Sequence, residues 1–341
     1  MMNDSIENRN QVIETEHFTR DYCVAIRTLG TAGEKYQKLL DSLVAQTLPP
    51  KKILVYIPYG YSVPKETVGI EQIVQCEKGM VAQRSLPFDE VDTEFILFCD
   101  DDVLLPPTLI EELFDAMNGI APDCLSPQVV NEGVSMVQII YAFMHNFTLP
   151  HLSKKWDVKI NKSGSYSYNI RGKKVLMPTQ SACFACFLCK KSSYNWIHYE
   201  DERWLDGFKY ASCDDQLFFY KMFLHGFSGY KYYGQGIVHL DAQAGGRRNV
   251  SEKFYNQKKI AFIIWYRTIF HLCNNSIIDK VLAVFMYFCK VFIGLLFLPV
   301  EVLYHKNWKL FIDFVKAQVD GYKYVHSEEY LSIPPYDYYK R

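Results

Sequence analysis

Three consecutive aspartates, Asp100-Asp101-Asp102, follow directly after the apolar run at residues 95–99. Adjacent carboxylates repel each other, and a divalent cation with oxygen ligands is the usual compensation. A buried strand that opens at its carboxyl end into an acidic cluster is also where open α/β sheets bind their ligands. The triplet therefore predicts a metal and nucleotide site, with a solvated acidic turn as the alternative.

The three carboxylates receive different roles in this prediction. Alternate residues of an extended segment point in opposite directions, but a turn can bring Asp100 and Asp102 to one pocket. We expect Asp102 to bind Mg²⁺ or Mn²⁺ directly, and Asp100 to be a further metal ligand or to contact a ribose. Asp101 is expected in the same cofactor site, with a structural role as its alternative. A cation that bridges a diphosphate would neutralise the charge that grows on a leaving group.

A second acidic pair, Asp214-Asp215, stands at the start of a predicted helix. A helix N-terminus stabilises an ionised carboxylate. A carboxylate in that position could take a proton from the hydroxyl of an acceptor. The alternative is simple N-capping of the helix, which Asp214 alone could satisfy.

Two later groups could complete a diphosphate site. His239 follows a short predicted strand and is a candidate third metal ligand or diphosphate contact, with a structural histidine as the alternative. Arg247 follows the pair Gly245-Gly246. That segment is either a lid that brings cations to a diphosphate or a polar linker into the last region.

Bulk properties exclude some functional classes. The chain has 341 residues, which is enough for one large domain with an appendage or for two domains. A formal net charge of −1 argues against a nucleic-acid partner. Ten cysteines without framework-like spacing favour a reducing compartment. Residues 1–20 lack a signal-peptide pattern and are expected to form a flexible leader.

Apolar periodicity predicts strands that alternate with helices in the first half of the chain. Strands are expected at 22–27, 52–57, 72–76 and 94–99, and helices at 36–44 and 108–118, the second opened by a capping box of Thr108 and Glu111. This order is typical of βαβ units and predicts an α/β fold with a mainly parallel sheet. Further along, the predictions are a loop-rich insertion at 131–179, a strand at 181–188, a helix at 214–224 and short strands at 229–233 and 236–239.

The character of the chain changes after Asn249. Helices are predicted at 254–272 and 281–303, and the second is long enough to just span a bilayer. Lys290 at its centre is costly in a membrane, and Pro299 is expected to break its last turn. Three interpretations stay open for 281–303: a helix resting on the membrane surface, a buried bundle helix, and a true span. Neighbouring lysines would suit anionic headgroups.

An ordered series of segments resembles family 2 glycosyltransferases with the GT-A fold, over roughly residues 21–250. The segment at 40–50 is similar to the family's first helix, 79–84 to its G-x-x-x-A-R segment, and 98–102 to its DXD element. Cys213-Asp214-Asp215 resembles its acidic pair, and Gly226 with His239 resembles its G…H ending. The aromatic and basic helices beyond Tyr255 look like the tails of bacterial members that build surface polysaccharides.

The resemblance implies a GT-A Rossmann-like domain at 21–250 and a C-terminal helical region at 251–341, for which association with a membrane is one interpretation. It implies inverting, metal-dependent transfer of a sugar from a nucleotide-diphosphate donor to a glycan or lipid-linked acceptor. Asp215 would be the base, with Asp214 not excluded because the pair is Asp-Asp. Arg84, Arg247 and Thr28 are expected to contact the donor nucleotide or its phosphates.

The expected location is cytoplasmic and peripheral at the inner face of the membrane, with contact through 254–303. Two rival functions remain: a sugar-1-phosphate nucleotidyltransferase, and a non-catalytic membrane-associated binding protein of the same fold. The first should carry a glycine-rich signature near its start, which the segment from Gly30 to Gly33 does not supply.

Overall fold

The computed structural model describes residues 19–130, 136–171, 173–240, 249–273 and 276–335. Nearly all of the predicted leader at 1–20 therefore lies outside the described residues. Within these ranges, one mixed sheet and its flanking helices come first, and a helical region follows them.

Twelve strands are described in chain order. They are β1 Tyr22–Arg27, β2 Lys52–Pro58, β3 Glu71–Cys76, β4 Phe95–Asp100, β5 Val103–Leu104, β6 Cys124–Val129, β7 Leu149–His151, β8 Val158–Ile160, β9 Tyr166–Asn169, β10 Leu176–Pro178, β11 Cys186–Lys190 and β12 Gly229–His239.

The main sheet has the strand order β10-β12-β6-β11-β4-β1-β2-β3, and β5 pairs with β12. Strands β3, β2, β1 and β4 are parallel, as are β6 and β12, whereas β11 runs antiparallel between β4 and β6. The predicted α/β class with a mainly parallel sheet, flanked by helices and followed by a helical region, is confirmed. Because β1 and β4 are parallel, their carboxyl ends meet at one edge of the sheet.

The α-helices are, in chain order, α1 Glu34–Val44, α2 Leu109–Met117, α3 Met136–Asn146, α4 Lys191–Trp196, α5 Asp214–Leu224, α6 Val250–Trp265, α7 Ile277–His305, α8 Lys309–Tyr324 and α9 Glu328–Leu331. A 3₁₀ helix at Tyr199–Gly207 precedes α5, and a π-helical turn at Tyr266–Phe270 continues α6.

The two faces of the sheet bury separate cores. Alternate residues of β1 point to opposite faces, so that Val24 packs with α1 and α2 while Ala25 packs on the side of α5 and α6. Ile260 and Ile263 of α6 belong to this second core. The first helix after the predicted boundary at 250 is thus part of the packing that supports the sheet, while the boundary itself stays a prediction.

Several sequence predictions were wrong in detail. The segment at 131–179 is not a mere loop insertion: it carries α3 and a small sheet of order β7-β9-β8. The two late strands are one strand, β12, with a register shift between Tyr232 and Gly236. Thr108 does not cap α2 through its side chain, because its hydroxyl donates to Glu112. Pro299 does not end α7, which continues to His305.

Candidate functional site

The acidic triplet begins at the last residue of β4. In the parallel pairing of β1 with β4, Arg27 lies opposite Asp100, so both side chains emerge at the carboxyl ends of their strands. Arg27 donates to Asp100 Oδ1 from Nε at 3.0 Å and from Nη2 at 2.9 Å. Both side chains are about a quarter exposed. Asp100 is therefore engaged by a cation that the protein itself supplies.

Arg84 connects the triplet with the second acidic pair. Its guanidinium lies 3.5 Å from Asp100 Oδ1 and donates to Asp214 Oδ2. The guanidinium carbon lies 3.9 Å from the centre of the Phe184 ring, at a cation–π distance. Burial, together with the neighbouring positive charge of Arg27, lowers the pKa of Arg84 to about 10. It remains charged at neutral pH and holds carboxylates from two distant segments together.

The backbone turn that carries Arg84 is held by Asp206. The Asp206 carboxylate accepts from the backbone N–H groups of Val81 at 2.8 Å and of Ala82 at 2.9 Å. A Cβ at Gly79 would lie 2.4 Å from an oxygen of this carboxylate and 2.8 Å from the Ala82 Cβ, so a side chain there would displace the carboxylate from the turn. The glycine of the G-x-x-x-A-R segment therefore has a packing role.

Asp214 and Asp215 are the first two residues of α5, yet their surroundings differ. Asp214 is in the ion pair with Arg84. Asp215 Oδ1 instead accepts from the backbone N–H of Gln216 at 2.7 Å and from the Tyr166 hydroxyl at 3.2 Å. Burial raises the pKa of Asp215, although these hydrogen bonds and the charge of Arg84 oppose the shift. Of the two, Asp215 is the carboxylate held by neutral donors.

Asp102 lies beside His239. Strand β5 pairs with the end of β12, which places His239 opposite Val103, and the backbone N–H of Leu240 donates to the Asp102 carbonyl at 2.7 Å. His239 Nε2 is 3.2 Å from Asp102 Oδ1. The structure thus brings together two of the three residues predicted as metal ligands, Asp102 and His239. Within the described ranges, no group of three or more His, Cys, Asp or Glu side chains has the arrangement of a metal site.

Asp101 points to Thr28 instead. The Thr28 hydroxyl donates to Asp101 Oδ2 and accepts from the N–H of Gly30 at 2.9 Å. Burial, with the charges of Asp102 and Asp100, raises the pKa of Asp101 to about 6. Thr28 is 4% exposed. Its hydroxyl fixes the loop after β1 to the triplet, and its predicted contact with a nucleotide stays a prediction.

A small cleft borders this cluster. Arg27, Arg84 and Asp100 are its charged lining residues, and aromatic side chains such as Tyr56 and Phe187 form much of the rest.

Three contributors were missed from the sequence. Arg27 could have been found, because a parallel register between the first and fourth strands places it beside Asp100. Tyr166 and Asp206 act on partners that are distant along the chain, and nothing in their local sequence signals it. The role of Asp100 as a metal ligand stays a prediction. In the structure its Oδ1 accepts from two arginines, Arg27 and Arg84. Arg247 lies outside the described residues.

Comparison with known proteins gives similarities in structure alone. No family model and no curated protein matches the sequence. Among solved structures, S. aureus TarS 1-349 is 14% identical with a TM-score of 0.44, over 78% of this chain and 69% of that one. The same TarS fragment in complex with UDP-GlcNAc is 13% identical with a TM-score of 0.47, over 88% and 80% of the two chains.

GalNAc-T7 with UDP, GalNAc and Mn²⁺ is 10% identical with a TM-score of 0.48, over 73% of this chain and 48% of that one. The chain thus spans about half of the GalNAc-T7 chain. At these identities and TM-scores, the likeness concerns the course of the backbone, and no ligand or activity is carried over from it.

Proposed function

We propose that the protein transfers a sugar from a nucleotide-diphosphate donor to a hydroxyl of a glycan or lipid-linked acceptor, with inversion at the anomeric carbon. One observation carries the proposal. Arg84 joins the triplet at the end of β4 to the acidic pair at the start of α5, although more than a hundred residues separate them in sequence. The acidic triplet and the acidic pair are thereby close together at the edge of the sheet where α/β proteins bind ligands, which supports a donor site beside a candidate base.

Asp215 is the residue best suited to take the proton of the acceptor. A general base works best when its pKa approaches the operating pH, and burial moves the pKa of Asp215 in that direction. Asp214 is less suited, because its carboxylate is already held in an ion pair with Arg84. The Tyr166 hydroxyl and the Gln216 N–H would keep the Asp215 carboxylate oriented during proton transfer.

Asp102 and His239 are the residues that would hold Mg²⁺ or Mn²⁺. One carboxylate and one imidazole make an incomplete set of ligands, and Mg²⁺ in phosphate-transfer sites commonly binds one or two carboxylates together with substrate phosphates. The pair therefore fits a cation whose remaining ligands are diphosphate oxygens and water. Such a cation, when bound, would offset negative charge on the departing nucleoside diphosphate.

The composition of the C-terminal helices suits a location at a membrane surface. Within the described ranges, α7 alone is long and apolar enough to cross a membrane, by length and composition only. In its most apolar 18-residue window, 17% of the residues are buried, which disfavours the interpretation of α7 as a buried bundle helix. A peripheral enzyme of surface polysaccharide synthesis at the inner membrane face is our proposal.

Replacement of the candidate base tests the proposal. Asp215→Asn should bind a nucleotide-sugar donor like the wild type and lose transfer by about 10²-fold or more, because general-base catalysis contributes typically 10²–10⁴-fold. Asp115→Asn, an exposed carboxylate on α2, is the matched control and should transfer normally. Donor binding is measured by thermal shift with a panel of nucleotide sugars and Mn²⁺.

Product analysis separates the rival reaction. Release of nucleoside diphosphate indicates sugar transfer, whereas release of pyrophosphate would indicate a nucleotidyltransferase. Unchanged turnover in Asp215→Asn would remove Asp215 from the role of base, and failure of every nucleotide sugar to bind would overturn the proposal as a whole.

A further inference from the structure

The small sheet β7-β9-β8 is attached to the start of α5 on both sides of the candidate base. Tyr166 of β9 donates from its hydroxyl to Asp215 Oδ1 at 3.2 Å, and the Gln216 side chain donates to the Gly164 carbonyl at 2.8 Å. Both contacts are made by the chain where it enters β9. The surface of the small sheet therefore begins at the carboxylate that is proposed to activate an acceptor.

A pair of tyrosines on β9 extends from the candidate base to the protein surface. Tyr166 and Tyr168 are alternate residues of the strand, so their side chains lie on the same face. Their ring centroids are 5.8 Å apart, and Tyr168 is 46% exposed. An aromatic ring supplies flat apolar area with a polar edge, which suits the C–H face of a sugar ring. Tyr168 is thus placed to hold the sugar unit next to the one that reacts.

A third tyrosine, Tyr233 of β12, continues this aromatic surface. Its hydroxyl donates to Asp157 Oδ2 at 2.7 Å. The Asp157 carbonyl in turn accepts from the backbone N–H of Asn169 at 2.9 Å, one residue beyond Tyr168. Burial raises the pKa of Tyr233 most, Asp157 raises it further, and Tyr168 is close enough to add to the shift. Tyr166, Tyr168 and Tyr233 therefore form a row that leads away from the candidate base.

Two lysines lie at the outer end of this row. The ammonium groups of Lys173 and Lys231 are 4.2 Å and 5.6 Å from the centre of the Tyr233 ring. Lys173 also lies 3.7 Å from Asp157, a carboxylate that is almost fully buried. Within the described residues, Lys231 has no carboxylate within 4 Å. One acid thus stands against two cations, and positive charge is left for a ligand.

The surroundings of these lysines are basic as well. Residues 148–178 contain six lysines and one arginine but a single acid, Asp157, although the whole chain has a formal net charge of −1. Lys154, Arg171 and Lys174 are exposed, and none of them is in an ion pair with any residue that the structure describes. A surface of one sign raises the local concentration of ligands with the opposite charge. The small sheet is therefore suited to a negatively charged ligand.

We propose that the small sheet is the acceptor site and that the acceptor is an anionic glycan. The sugar unit next to the reacting hydroxyl stacks on Tyr168, and a carboxylate or phosphate further along the glycan meets Lys173 and Lys231. The acceptor role rests on the proposed function, whereas the binding itself can be measured without transfer. A negatively charged membrane would also meet the lysines, but it would not account for a row of tyrosines that begins at the candidate base.

Isothermal titration of the full chain with charged and neutral oligosaccharides tests the charge of the acceptor. The probes are maltohexaose, phosphorylated maltohexaose and a galacturonic acid hexamer, in EDTA and without a donor. At least one of the two anionic oligomers should bind more tightly than maltohexaose by about tenfold, and its affinity should fall as the salt concentration rises, because exposed charges are screened. Comparison of the two anionic oligomers distinguishes a phosphate ligand from a carboxylate ligand.

Replacement of the lysines tests the location of the site. Lys173→Met combined with Lys231→Met should raise the Kd for the anionic oligomer by about tenfold at low salt, because two charge-assisted contacts are lost. Lys231→Met alone leaves Asp157 with both of its partners and should raise the Kd by about threefold. The corresponding Lys→Arg changes keep the charge and should retain binding. Lys309→Met combined with Lys323→Met, two exposed positions of α8, is the matched control and should leave the Kd within about twofold.

Tyr168 is tested separately from the charges. Tyr168→Ala should raise the Kd for the anionic oligomer by about threefold to tenfold at every salt concentration, since the stacking surface is lost and is not screened by salt. Tyr168→Phe keeps the ring and should bind like the wild type. Circular dichroism melts establish that each variant is folded.

Two results would overturn the inference at the level of binding. Anionic oligomers that bind no more tightly than maltohexaose at low salt would reject the anionic class of ligand. Wild-type affinity in the lysine variants would reject the location. If those variants lose affinity for phosphatidylglycerol vesicles while they keep their affinity for the oligomers, the basic surface is a membrane contact.

The proposed function and the acceptor class fail in different ways. Binding of the anionic oligomer without release of nucleoside diphosphate from any donor would reject sugar transfer and leave the binding surface. Transfer to maltohexaose as efficient as transfer to the anionic oligomers would reject the acceptor class and leave the proposed function.

Discussion

The protein contains two buried charge clusters, and they are compensated in different ways. In the 3₁₀ helix before α5, Glu202 is fully buried and accepts from Arg267 twice at 2.9 Å and from Lys221 at 3.1 Å. Between α6 and α7, Lys258 and Lys290 meet carbonyl oxygens. The first cluster is complete within the protein, whereas the lysines of the second meet carbonyl oxygens and, at Lys258, the nearby charge of Glu301. Breaking the first cluster should therefore cost more, because removal of one member leaves its buried partners without compensation.

The complete cluster should show the largest effect when it is broken. Glu202→Gln leaves the charges of Arg267 and Lys221 buried without their carboxylate, and we expect a loss of about 3–5 kcal/mol in the free energy of unfolding. Lys221 lies in the last turn of α5, so the end of the helix that begins at the candidate base should loosen as well. Urea denaturation measures the change, and Glu200→Gln, an exposed neighbour, is the control.

The same cluster predicts the direction of the pH dependence. Burial alone would raise the pKa of Glu202, but Arg267 and Lys221 outweigh it and lower the pKa from 4.5 to about 2. A lowered pKa contributes stability above the unfolded value, and this contribution is lost as the pH falls. The stability difference between wild type and Glu202→Gln should therefore shrink as the pH is lowered from about 4.5 toward 2. A difference that grows in this range would contradict the assignment.

Replacement of Arg84 should have an effect of intermediate size, because one of its two carboxylate partners, Asp100, keeps a second arginine. Arg84→Met leaves Asp100 with Arg27 and frees Asp214. We expect kcat/KM to fall by about 10–100-fold, since a charge-assisted contact of roughly 1.5–3 kcal/mol is lost. Steady-state kinetics with donor and acceptor varied in turn measure the loss. Arg203→Met, an exposed pair with Glu77, should have no effect.

The sequence predicted the parts of the site that depend on local pattern. The strand that leads into Asp100 and the helix that starts at Asp214 were visible as an apolar run and as acids before a helical segment. The link through Arg84 was not, because it depends on where the turn at 79–84 packs, and Asp206 sets that placement from a distant segment. The sequence also separated the region after 250 from the sheet, although Ile260 and Ile263 pack beneath it.

The smallest expected effect concerns the tuning of Asp215. The Tyr166 hydroxyl donates to Asp215 and lowers its pKa, in opposition to the larger effect of burial. In Tyr166→Phe this hydrogen bond is lost, so the pKa of Asp215 should rise further. A base must be ionised to accept a proton, and the acidic limb of the pH profile of kcat/KM should therefore move to higher pH.

Tyr168→Phe is the matched control for this shift, since its ring lies beside Tyr166 on β9 and its side chain is exposed. A limb that moves equally in both variants would reflect a general change in the small sheet. A limb that moves in Tyr166→Phe alone, while transfer at high pH stays near the wild-type rate, would separate the tuning of the base from its placement. This measurement would also distinguish Asp215 from Asp214, because the base must be the carboxylate whose pKa sets the acidic limb.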